Sequence, residues 1–305
     1  MTVTRTPMFV GIETTSYSGA TLLAFLLNAH PQIASIGEMN GLIPSEDPEM
    51  YLCSCGKPIK ACEFWQSIAR EMARRGFDFD VANFQMVFQF PGSRWRQRLR
   101  AGAFPIAALN RLRDALLQSL PSERRQFQAL VARNLAFIEA VLAETGKCVF
   151  VDTSKDHLRA RALKMFAPYP VRVVHLVRDP RGVTASRLRR GVPIDAREAA
   201  RQWVRLHSRL QRLADDHYLR VRYEDLCRRP REVLQQVYAF CGVDPQFEIV
   251  NLAATQHHIV GNAMRLENLS TIQLDERWRD RLTAAQQNEI WQIAGKLGAQ
   301  YGYRR

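Results

Sequence analysis

The sequence predicts an α/β protein built on an open parallel sheet flanked by helices, and three features carry that expectation. Short apolar runs at residues 8–11, 148–151 and 171–177 alternate with stretches of helical periodicity. Two of these runs end abruptly at Asp152 and Arg178, as buried parallel strands do where they leave the sheet. Each run leads through a loop into a helix, the rhythm of a sheet covered on both faces.

Taken in order, residues 8–11 form a strand, the small and hydroxylated residues 14–21 a loop, and residues 22–29 a helix. Residues 64–130 break the rhythm. They are rich in helix formers and arginine, are punctuated by Pro91, Gly92, Pro105 and Pro121, and are expected as a helix-rich cap inserted before the next strand. Apolar residues recur at helical spacing over 134–144, and the strand at 148–151 follows. A helix at about 158–166 precedes the Val-rich run 171–177. Asp179 before Pro180 is a helix start signal, so a helix runs from Pro180 to about Arg190. A long helix over 195–214, a short strand at 217–222 and an amphipathic helix at 282–297 complete the pattern. Nothing repeats and no low-complexity linker interrupts the 305 residues, so one domain spanning 1–305 is expected.

The formal charge of +13 raises the local concentration of anionic ligands. Nucleic acid, acidic lipid, acidic glycan and a doubly phosphorylated nucleotide all fit that balance, but no helix-turn-helix, zinc-finger or RNA-binding signature accompanies it, so nucleic acid is not an expected partner. No apolar run reaches the ~20 residues of a membrane span, and the N-terminus lacks a signal-peptide pattern, so a soluble, cytoplasmic protein is expected. Arginines at 197, 201, 205 and 209 share a helix face, ordinarily a solvated one. Arg94, Arg96, Arg98, Arg100, Arg111 and Arg113 surround Trp95 and Phe104, a pattern able to meet an anionic membrane or acceptor, though membrane contact is not favoured. Of six cysteines, Cys148, Cys227 and Cys241 read as buried free thiols. Cys53, Cys55 and Cys62 cluster, but no neighbouring His or fourth Cys completes a zinc set, so packing or a disulfide is preferred and no metal is expected.

Two loops have the composition of anion sites at strand ends. In the first, Ser16, Tyr17, Ser18, Gly19, Ala20, Thr21 and Leu22, small residues let backbone N–H groups crowd an anion. The absence of Lys before Thr21 excludes a Walker A loop and weighs against ATP or GTP hydrolysis. In the second, Arg178 ends a strand and Ser186 lies two turns into the next helix, so a charged fork and a hydroxyl can share one phosphate.

These loops, with His30-Pro31, Gly37-Glu38, the Val-Asp-Thr-Ser-Lys run at 151–155, the Arg-Tyr-Glu-Asp-Leu run at 222–226, Gly261 to Arg265 and the Cys53-Ser-Cys-Gly segment ending at Cys62, Phe64 and Trp65, resemble the sulfotransferases that use 3'-phosphoadenosine-5'-phosphosulfate (PAPS). The resemblance extends over nearly the whole chain and points to a bacterial-type branch with a P-loop NTPase-like fold. It implies a transferase moving a sulfuryl group from PAPS to a hydroxyl or amine, releasing 3'-phosphoadenosine 5'-phosphate, without a metal. It further implies that Tyr17, Ser18, Gly19, Ala20, Thr21 and Leu22 cradle the 5'-phosphosulfate, that Arg178, Ser186 and Arg265 hold the 3'-phosphate, and that Glu38 is the base. Many such enzymes carry a basic residue where Tyr17 stands, and Lys155 is expected to supply the missing cation. The alternative is a nucleotide- or anion-binding protein of the same fold without catalysis. The acceptor, whether small molecule, glycan or lipid, and the oligomeric state are not legible in the sequence.

Overall fold

The computed structural model describes residues 6–42, 46–90, 92–252, 255, 257–266 and 272–305. Pro91 and the side chains of Arg94 and Arg98 lie outside the described residues. The chain begins with β1 (Met8–Glu13), α1 (Ala20–Asn28) and β2 (Ile33–Ser35). Four helices follow: α2 (Glu63–Arg74), α3 (Arg94–Ala101), α4 (Ala107–Ser119) and α5 (Pro121–Thr145). The remaining sheet elements are β3 (Val149–Asp152), β4 (Val171–Val177) and β5 (Tyr218–Arg222), connected by α6 (His157–Phe166), α7 (Pro180–Arg189) and α8 (Ala196–Leu213). Helices α9 (Tyr223–Arg228), α10 (Pro230–Phe240), α11 (Trp278–Arg281) and α12 (Ala284–Gln300) close the chain.

The five strands pair in the order β2-β3-β1-β4-β5, every pair parallel. Side chains of successive strand residues point to opposite faces, so Phe9 packs into one core beside α2, α5 and α6, and Val10 into another beside α1 and α10. With both faces covered, β1 is apolar along its length until Glu13. The strand β2 went unread in the sequence because three residues are too few to show a period. A parallel bridge between Gly37 and Val260 continues its line toward the strand ends.

Side-chain caps mark four of the helix starts. Asp179, Asp156 and Asp195 cap α7, α6 and α8 through their carboxylates, and Thr283 with Gln286 forms a capping box at α12. The solvated arginine face of α8 is present: Arg197, Arg201 and Arg205 are exposed, while Arg209 reaches His157 at 3.0 Å. Among the described arginines of the 64–130 segment, Arg100 and Arg113 turn away from the surface. Arg100 is buried against Glu123 at 2.6 Å, and Arg113 is buried over the Phe104 ring beside Asp114. No helix among the described residues is long and apolar enough to cross a membrane.

Candidate active site

In the strand order, β1 has β3 on one side and β4 on the other, so the chain leaves β1 at a topological switch point, where loops diverge and open a crevice. A cavity of about 650 Å³ lies there. Its walls come from the loop after β1, the Glu38 region, Lys155 after β3, the β4–α7 segment and residues 261–264 and 272–277. No described residue of 64–130 lines it, and apolar residues of that segment pack against the sheet.

The loop after β1 turns sharply. Tyr17 has a left-handed backbone (φ 67°), as does Gly19 (φ 91°), an alternation that aims successive N–H groups to one side as an anion nest. Gly19 is required twice over, because a Cβ there would stand 2.5 Å from the Tyr223 ring. Tyr17, Gly19, Ala20, Thr21 and Leu22 line the cavity. The Ser18 side chain does not. It is buried and shares a hydrogen bond of 2.7 Å with the Thr15 hydroxyl, bracing the loop from behind.

The second loop closes on the first. Arg178 donates from Nη1 to the Tyr17 carbonyl at 2.8 Å and to Ser186 Oγ at 3.3 Å, and from Nη2 to the Asp275 carbonyl at 3.0 Å. Its guanidinium stacks 4.6 Å from the Tyr223 ring centre, and Gly182 leaves it room, since a Cβ there would approach Nε to 2.9 Å. The hydrogen bond to Arg277 and the Arg178 charge hold the Asp275 carboxyl well below the usual carboxylate range.

Glu38 and Lys155 also meet at the cavity. Lys155 Nζ donates to Glu38 Oε1 at 2.6 Å, and Lys155 itself sits in a left-handed conformation (φ 62°) that turns its side chain out of the β3 line. Gly261 packs against Glu38, with 2.9 Å from its would-be Cβ to Glu38 Cγ. Asp152 orients this corner by accepting hydrogen bonds from Met39 N at 3.1 Å and Arg159 Nη1 at 2.6 Å.

Arg265 is not brought to the cavity wall. Its guanidinium is buried over the Tyr51 ring at 3.9 Å and donates to the Leu52 and Gly261 carbonyls at 3.0 and 2.6 Å, so it braces the 261–266 loop instead of facing an anion. The cavity contains other arginines that the sequence reading missed: Arg189, Arg190 and Arg277. Burial and then the charges of Arg277, Arg190 and Arg281 push the Arg189 guanidinium down from its ordinary value, the mark of crowded cations. Arg189 and Arg190 stand three and four residues beyond Ser186, so helical spacing held the signal. No local pattern links Arg277 to them. Tyr223 also lines the cleft.

The histidines separate by role. His30 is fully buried between Tyr238 and Phe247, a structural position. His257 is buried on Asn28 at 2.8 Å. His258 lies among Cys53, Cys55 and Cys62, whose ligand atoms together with its own fall within 4.8 Å of one another. The fourth ligand-type side chain, absent from the neighbouring sequence, comes from about 200 residues downstream.

The fold and cleft bring backbone N–H groups and arginines to one crevice, an arrangement suited to phosphate- or sulfate-like anions. The sequence profile described as Sulfotransferase family matches residues 79–248, more than half of the chain, and the chain belongs to that family. The matched stretch contains Lys155, Arg178 and Ser186, while the first loop and Glu38 lie upstream of it. Among curated proteins, a mouse (Mus musculus) carbohydrate sulfotransferase 5 is 30% identical over 170 residues, taking in 44% of this chain and 42% of the relative. The chain thus matches less than half the length of that relative. Among solved structures, the sulfotransferase domain of the Synechococcus PCC 7002 olefin synthase is similar at a TM-score of 0.50 and 20% identity, covering 99% of this chain and 98% of the other. The sulfotransferase domain from the curacin biosynthetic pathway gives 0.48 and 18%, covering 97% and 99%. The first of these likenesses supports the P-loop-like α/β fold.

Proposed function

We propose that this sulfotransferase takes its sulfuryl group from PAPS and delivers it to a hydroxyl or amine of a small-molecule, glycan or lipid acceptor, with a carbohydrate hydroxyl favoured by the curated relative. The observation that carries the reading is the contact between the two anion loops, Arg178 Nη1 lying 2.8 Å from the Tyr17 carbonyl and 3.3 Å from Ser186 Oγ. One bisphosphorylated nucleotide can therefore be gripped at both ends. The N–H groups of residues 17–22 take the 5'-phosphosulfate at the start of α1. Arg178, Ser186 and the Arg189–Arg190–Arg277 group take the 3'-phosphate.

In the transfer, the acceptor oxygen or nitrogen attacks sulfur in line, its new bond forming as the bond from sulfur to the bridging phosphate oxygen breaks. The acceptor proton passes to the Glu38 carboxylate, and the bond electrons leave with the 5'-phosphate. Lys155 serves both groups. An ammonium has three N–H donors, and one suffices for Glu38, so the others can meet the leaving phosphate and replace the charge absent at Tyr17. Positioning and charge stabilisation carry such a step without covalent chemistry on the protein.

The test has two arms. Thermal unfolding of the full chain with 3'-phosphoadenosine 5'-phosphate should show stabilisation that AMP does not give, because only the former fills the arginine pocket. Transfer of labelled sulfate from PAPS to an acceptor panel should then follow. Equal stabilisation by both nucleotides would remove the 3'-phosphate assignment, and tight, selective binding without transfer would leave a binding protein.

A further inference from the structure

The Cys53, Cys55, Cys62 and His258 cluster plays no part in the proposed transfer, and its geometry is not that of ordinary packing. Cys62 Sγ stands 3.4 Å from His258 Nδ1, Cys53 Sγ 3.7 Å from the same nitrogen, and Cys55 Sγ 3.7 Å from Cys62 Sγ. With Zn–S of about 2.3 Å and Zn–N of about 2.0 Å, a regular tetrahedron has edges of about 3.8 Å between sulfurs and about 3.5 Å between sulfur and nitrogen. Three of the six edges thus lie within about 0.2 Å of these values, and all four ligand atoms fall within 4.8 Å of one another. We propose that Cys53, Cys55, Cys62 and His258 form a structural Cys3His site for a thiophilic divalent cation, Zn2+ in the first place, that clamps the 53–62 segment to the strand-like stretch beside Glu38.

The surroundings suit a bound cation. Cys53 and Cys62 are fully buried, and His258 is held flat against the Phe64 ring, 4.3 Å between centres and 2° between planes. That stacking fixes the imidazole so that Nδ1 faces the thiols. Cys62 is also the N-cap of α2, which sets its sulfur at the positive end of that helix. The buried Trp65 indole N–H has no hydrogen-bond acceptor among the described residues. Three sulfurs and one nitrogen in a closed tetrahedron select zinc over magnesium or calcium, which require oxygen. On binding, each coordinating thiol that is protonated releases its proton to solvent and the imidazole enters neutral.

The clamp bears on the cleft through the backbone. Ser54 N donates to the Ile259 carbonyl at 3.3 Å and Ile259 N to Ser54 Oγ at 2.7 Å. From there Val260 N donates to Ile36 O at 2.8 Å, one residue before Gly37 and two before Glu38. Metal at the cluster thus positions the wall that carries Glu38 and Gly261 without touching substrate.

The full-length protein, purified under reducing conditions without chelator, should contain one zinc per chain by elemental mass spectrometry. The zinc should be released stoichiometrically by an organomercurial and lost in Cys62→Ser and His258→Ala. Because those variants may not fold, the unaltered chain stripped of metal should take up one equivalent of Co2+, with thiolate-to-cobalt charge-transfer bands and the intense d–d bands of a tetrahedral centre, both removed by added Zn2+. Its three cluster thiols should react with a thiol reagent several-fold faster after stripping than before. Absence of zinc together with no tetrahedral Co2+ spectrum would overturn the site, as would a non-reducing peptide map joining Cys55 to Cys62. None of these readouts depends on PAPS.

Discussion

Glu38 and Lys155 stand 117 positions apart in sequence and 2.6 Å apart in space, and neither has a local signal for the other. Each was legible only as a motif member; their pairing was not. If Lys155 carries the charge that Tyr17 lacks, Lys155→Met lowers kcat by about 10²–10³ while 3'-phosphoadenosine 5'-phosphate still raises Tm. Retained turnover in that variant would assign the cation elsewhere. Glu38→Gln keeps a hydrogen-bond acceptor for Lys155 but removes the base, so kcat should fall by about 10²–10⁴ with little change in KM for PAPS. Arg178 and Ser186 were readable because eight residues of strand end and helix place them together, whereas Arg277 arrives from a distant segment.

At the scale of elements, the loop from β1 into α1 does its work through backbone shape. Gly19→Ala puts a left-handed alanine, worth about 1–2 kcal/mol, against the Tyr223 ring 2.5 Å away, and Tyr223 in turn supports Arg178. Thermal stabilisation by 3'-phosphoadenosine 5'-phosphate should be lost. Gly146→Ala is the control: it also has a positive φ, at the end of α5, but nothing lies within 4 Å of its Cβ position. It should cost a similar backbone strain and leave nucleotide binding unchanged, and equal loss of binding in both would dismiss the Tyr223 contact. The start of α7 was legible because the Asp179 cap is a local hydrogen bond. The strand β2 was not, since its three residues are held by pairing with β3 and not by a pattern of their own.

At the scale of the molecule, histidines in and beside the core, among them His157, His175 and His207, make folding sensitive to acid. Burial pushes His157 down to about 4 and His207 down to about 3, and it lowers His175, which hydrogen-bonds His207 at 2.6 Å. These groups stay neutral in the fold but protonate near pH 6.5 when unfolded. The unfolded state therefore binds more protons below about pH 6.5, and their contribution to stability is full above that pH and declines as pH falls toward about 4, by roughly 1.4 kcal/mol per pH unit for each histidine. Glu13 acts oppositely, because burial raises its carboxyl and favours the fold as it protonates. Comparing the chain with His207→Gln cancels that contribution. The variant should show a shallower loss of denaturant-derived stability between pH 6.5 and 4.5, and an unchanged slope would mean that His207 is not buried in its neutral form.

Sequence alone determined the alternation of strands and helices, the nest-forming composition of residues 16–22 and the Arg178–Ser186 spacing, because periodicity, capping and turn chemistry act over a few residues. Tertiary structure decided the strand order, the Lys155–Glu38 pair, the third wall of arginine at Arg277, the inward role of Arg265 and the arrival of His258 among three cysteines. Those contacts join segments tens to hundreds of residues apart. Parallel strands bring such segments to one edge only after the sheet has formed, and nothing in the local chain records which of them will meet.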